Sequence, residues 1–134
     1  MASYDLKSLG SLIAVQSLMK ARREMAIANL AAGLAEIMAE NGELLAMQDR
    51  RYEGGGAFID PAAILARLSA NMRRGTQLEK ELAAERQALL QVSRRLELLE
   101  VRMSDGSRQR ERKAEADLVE ELIAGKIRFG SSLP

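Results

Sequence analysis

Three pairs of carboxylates, Glu79/Glu81, Glu97/Glu100 and Glu120/Glu121, come nearest to acid–base machinery by type and spacing. That chemistry needs two carboxyls in unequal, partly buried surroundings, so that one keeps a proton the other has lost. Each pair lies among good helix formers, on what reads as a solvated helix face, and no catalysis is expected from it. Cys and His are both absent, which removes thiolate zinc sites, cysteine redox chemistry and the usual imidazole ligands and bases. The triple glycine at Gly54, Gly55 and Gly56 has no strand before it and no Gly-Lys-Ser/Thr after it, so it is not a phosphate loop. The chain therefore reads as a non-enzyme, with no catalytic residue, metal ligand or cofactor.

Cations offer a different chemistry. Arginine pairs recur at Arg22-Arg23, Arg50-Arg51, Arg73-Arg74 and Arg94-Arg95, interleaved with acidic residues, as in surface ion pairs worth a few tenths of a kcal/mol, roughly 0.3–0.5. The cluster Arg108, Arg110, Arg112 and Lys113 differs, because no intramolecular partner is expected beside it. Overall the charges nearly cancel, with 20 Lys+Arg against 19 Asp+Glu and a formal net charge of +1. A dedicated nucleic-acid binder would concentrate a basic excess on one face, so nucleic acid is not an expected partner.

The elements that must carry these residues are set by a row of positions spaced three and four apart: Ile64, Leu68, Asn71, Gly75, Leu78, Leu82, Glu85, Leu89, Val92, Leu96, Leu99 and Met103. Only Asn71, Gly75 and Glu85 in that row are not large apolar residues. This is the narrow stripe of a coiled-coil seam, sustained along one long helix. Hydrophobic residues make up 47% of the chain and aromatics only 3%, a composition of long helices with no deep interior. Asn71 and Gly75 soften the seam early in the second helix. Asn71 there either sets register or leaves a tip at which Leu65, Leu68 and Met72 meet another protein.

Helix one shows a less regular frame of Leu9, Leu12, Met19, Ala26, Leu30, Ile37, Leu44 and Met47, shared with Gln16, Arg23, Gly33 and Glu40. A neighbouring row of Ile13, Ile27, Leu34, Met38 and Leu45 widens it. Gly33 and Gly42 each cost about 1 kcal/mol against Ala, which predicts local softness but no break. Asp60-Pro61 starts the second helix, Asp by capping free amides and Pro by its preset φ.

The fold class is all-α, a long antiparallel two-helix coiled-coil hairpin with the second helix longer. A single hairpin spans 1–134: helix one over about 5–52, a glycine-rich tip at 53–60, helix two over about 60–124 and a loose tail at 125–134. At ~1.5 Å per residue the helices measure about 70 and 100 Å, so the second overhangs the first. After Met103 the apolar row loses its spacing near Asp105-Gly106-Ser107, where a kink, a frayed turn or a change of partner is expected. No transmembrane or leader segment is evident, since Gln16 and Ser17 interrupt the apolar stretch from Leu12 to Met19.

With these pieces placed, the chain resembles the FliJ family of flagellar type III export proteins, whose injectisome counterparts are YscO-like. The resemblance lies in the overall length, an apolar-and-Arg helix one (LIAVQSLMKARREMAIANLAAGLAEI) and a Leu-rich end with a Tyr before the tip (LLAMQDRRYEGG). It extends to a longer second helix closing in RRLELLEVRMSDGSRQRERKAEADLVEELI. It implies a coiled-coil stalk that couples an export ATPase ring (FliI-like) to an export gate (FlhA-like). Export chaperones are a further partner class. The place would be cytoplasmic, peripherally associated with the inner-membrane export apparatus.

By the same resemblance the ATPase contact falls at the terminus-bearing end, where Arg108, Arg110, Arg112 and Lys113 lie. The gate contact falls in the opening turns of helix two. The family's patch there begins with an aromatic residue followed by Leu one turn later. Ile64 and Leu68 take those places, Phe58 is the available aromatic, and Leu65 and Met72 adjoin them. Ile64 and Leu68 are also seam positions, so the two readings compete for the same side chains. Rival functions are a chaperone escorting export substrates, for which a wide apolar groove on helix one would serve, and a structural coiled coil that dimerises.

Overall fold

The computed structural model describes residues 5–52 and 60–131, with side chains described over 5–50 and 60–126. It is all-α: α1 spans Leu6–Tyr52 and α2 spans Pro61–Ser131, the longer of the two. Together they form the expected antiparallel hairpin. Each helix opens on an aspartate. The Asp5 carboxylate accepts from the Lys7 amide at 3.3 Å, and the Asp60 carboxylate accepts from the Ala62 amide at 3.0 Å. Each cap is worth about 1 kcal/mol because it satisfies an amide that has no partner within the helix. The glycines of the tip lie outside the described residues.

α2 does not stop near 124 but continues through Gly125 to Ser131. A single glycine costs a helix only about 1 kcal/mol, and no proline follows before the last residue, so nothing in the sequence forces an end at 125. Nor does α2 fray or break at Asp105-Gly106-Ser107, which are helical throughout.

The chain divides into two compact units. One comprises Leu18–Ser93 and holds the apposed middle parts of the two helices. Its core is Ile37 from α1 with Ile64, Leu82 and Val92 from α2. Every α2 seam position in this unit, from Ile64 to Val92, is buried or half-buried, including Gly75 and Glu85. Gly33 permits a close approach: a Cβ there would sit 3.3 Å from Leu78 Cδ1. Gly75 faces open space, where a Cβ would meet nothing within 4 Å, so the seam is underfilled there. The widened row on α1 is only partly used. Ile27 and Leu34 are half-buried, while Met38 and Leu45 are exposed.

The other unit comprises Met1–Ser17 and Arg94–Pro134. Among its described residues Leu9 and Leu96 are buried. Gly10 lies beside Met103, and Gly106 lies under Leu6 so closely that a Cβ would fall 2.7 Å from Leu6 Cδ2. That contact explains the loss of the apolar row. Leu6 is the first residue of α1, so past Gly106 α2 has no described α1 side chain to meet. Residues 108–124 are all exposed, including Leu118 and Leu122.

Candidate functional site

The six paired carboxylates, Glu79, Glu81, Glu97, Glu100, Glu120 and Glu121, are all exposed, and none sits in the sheltered environment that acid–base work requires. Among the described residues no three His, Cys, Asp or Glu side chains gather to hold a metal ion. No described helix is long and apolar enough to cross a membrane.

The polar chemistry of the 18–93 unit instead ties α1 to α2. Arg23 Nη1 donates to both carboxylate oxygens of Glu85 at 3.1 Å, two seam residues answering each other. Near the start of α2, Arg67 grips Glu40 through two guanidinium nitrogens, one at 3.1 Å. The Arg67 hydrogen bond, assisted by its charge, holds the Glu40 carboxyl below its ordinary range. One turn on, Asn71, only 3% exposed, donates from Nδ2 to Asn41 Oδ1 at 2.9 Å. Glu40 and Asn41 are adjacent on α1, while Arg67 and Asn71 are one turn apart on α2, so the two contacts form one polar clamp. Of the two roles open to Asn71, this geometry supplies that of setting register.

The residues that the resemblance assigns to a gate contact separate. Ile64 is 4% exposed and Leu68 is half-buried, so both serve the seam. Leu65 and Met72 point outward at 60% and 71% exposure, two turns apart on one face. Phe58 lies outside the described residues.

Arg108, Arg110, Arg112 and Lys113 are all exposed. Arg108 and Arg112 share one helix face, where with Asp105 and Gln109 they line a shallow groove. Arg110 and Lys113, three apart, fall on another face, so the four cations are spread around the helix. Among the described residues the salt bridges are Arg23–Glu85 and Arg67–Glu40, and none involves this cluster.

Sequence reading missed one unusual polar group. Gln16 Oε1, at a seam position in the terminal unit, is shielded from solvent and accepts no hydrogen bond. It sits beside Leu12, Arg95, Leu98, Leu99 and Arg102. The seam frame marked Gln16 as a polar interruption but could not tell whether a donor would face it. No known protein family, curated protein or solved structure matches this chain at a significant level.

Proposed function

We propose that this chain is a non-enzymatic coiled-coil stalk of a type III protein export apparatus, of the flagellar kind, coupling an export ATPase ring to an export gate. The observation that carries the reading is the end of α2. Beyond Gly106 it is helical and exposed, and its four cations are distributed around the helix. A one-sided basic strip would suit a flat acidic surface. Cations on several faces suit an opening with acidic walls on several sides, such as the mouth of a ring. Exposed charge of this kind guides encounter and weakens as salt rises. Leu65 and Met72 supply the apolar contact for the gate, while Ile64 and Leu68 hold the hairpin closed behind them. The working location is the cytoplasmic side of the inner-membrane export apparatus.

The test is charge reversal. Arg108→Glu, Arg110→Glu and Arg112→Glu together are expected to leave helicity unchanged and abolish stimulation of an export ATPase. Full stimulation by the triple variant would overturn the assignment. Loss of a salt-sensitive shift on DNA or RNA, with stimulation intact, would favour a nucleic-acid partner instead.

A further inference from the structure

α1 has a second apolar face. Shifting its seam positions by two residues, about 200° around the helix, gives a row on the side turned away from α2. That row is Leu18, Ala21, Met25 and Ala28, continued by Ala32, Ala35, Ala39 and Gly42, in strict alternation of three and four. All eight are exposed, Leu18 by 55% and Met25 by 64%. Met38, exposed by 74%, flanks the row. No charged residue occurs between Glu24 and Glu36, three turns of helix. A helix turned to water on this side would carry charge there, and an isolated hairpin does not need heptad spacing on its outer face.

We infer that this face docks against the same face of a second copy, antiparallel, around a two-fold axis beside residue 30. The row is self-complementary in that arrangement. Leu18, the largest side chain at one end, falls opposite the partner's Gly42, where an added Cβ would meet nothing within 4 Å. Met25 falls opposite the partner's Ala35, Ala21 opposite the partner's Ala39, and Ala28 opposite the partner's Ala32. Every large residue thus meets a small one, which allows the helices to approach at about 8 Å, the close end of helix packing. Charge agrees with size. The flanking position of Arg22 faces the partner's Glu36, and symmetry repeats the pair. Both side chains are exposed, and neither belongs to a salt bridge of the described residues. In a parallel arrangement large would meet large and small would meet small along the row, and Arg22 would not face the partner's Glu36. The inference uses only the outer face of α1 within 18–93, so it stands or falls separately from the export reading.

Sedimentation of the full chain across micromolar concentrations is expected to show a monomer–dimer equilibrium. Ala32→Glu should keep full helicity and remain monomeric. Arg22→Glu should weaken dimerisation severalfold, and adding Glu36→Arg should restore it. Because the chain has no cysteine, cross-linking is free of background. Under oxidation a mixture of Ala28→Cys and Ala32→Cys chains should form disulfide-linked pairs, and neither variant alone should do so. A monomer at all concentrations, a dimer unaffected by Ala32→Glu, or efficient self-linking of Ala28→Cys alone would each overturn the inference.

Discussion

Asn71 and Gln16 are both polar residues at seam positions, one in each compact unit, and only Asn71 is answered. Asn71 donates to Asn41, beside the Arg67–Glu40 pair and on the same seam as Arg23–Glu85. Gln16 Oε1 meets no donor. The 18–93 unit is therefore locked in register by directional contacts, which a slip of one turn would break. Among the described residues of the terminal unit no hydrogen bond joins α1 to α2. Apolar contact holds it there, at Leu9, Leu96, Met103 and Leu6. Such contact tolerates sliding, and among the described residues α2 is exposed from 108 to 124. Directional contacts thus specify the 18–93 unit tightly, while apolar contact alone leaves the terminal unit more adaptable.

The largest expected effect contrasts the seam with the free end of α2. Leu82→Ala removes a side chain 7% exposed and should cost about 2–4 kcal/mol in urea unfolding, while Leu118→Ala should stay within about 0.5 kcal/mol. Equal losses would mean that the end of α2 is packed inside the molecule. The two polar seam residues should respond in opposite directions. Asn71→Ala strands Asn41 and should destabilise by about 1–3 kcal/mol, whereas Gln16→Leu removes an unanswered acceptor and should stabilise by about 1 kcal/mol. A loss on Gln16→Leu would show that Gln16 has a donor in solution and would erase the contrast.

A smaller effect follows from Glu40. Its carboxyl titrates below the ordinary value of 4.5, so its pairing with Arg67 contributes fully above that value and is lost as pH falls through the lowered one. Melting temperature followed from neutral pH into acid should decline less in Glu40→Gln than in the wild-type chain. Identical acid profiles would place the pair outside the clamp.

Legibility in the sequence followed period. The α2 row from Ile64 to Met103 was readable because one strong spacing recurs without interruption, and each of its members is buried or half-buried. The Asp60-Pro61 start was equally plain, since cap and proline act within one turn. The Asp5 cap was not, because its helix begins among ordinary residues. The continuation of α2 past Gly125 was missed because composition changes there while helical geometry does not. Ile64 and Leu68 show a deeper ambiguity. An apolar side chain carries the same pattern whether its face is covered by its own chain or by another protein. Only the burial of Ile64, the half-burial of Leu68 and the exposure of Leu65 and Met72 separate the uses. The outer row of α1 escaped for a related reason, as alanines make a faint stripe until the other face is known to be occupied.

Hydrogen exchange resolved along α2 tests the central claim, that residues 107–126 are a helix held for another protein. In the isolated chain, amides over 107–126 should exchange far faster than those over 64–92, because no described helix covers them. Addition of an export ATPase ring should slow exchange over 107–126 and leave 64–92 unchanged. Strong protection of 107–126 in the isolated chain, or fast exchange there in the presence of saturating ATPase, would contradict it.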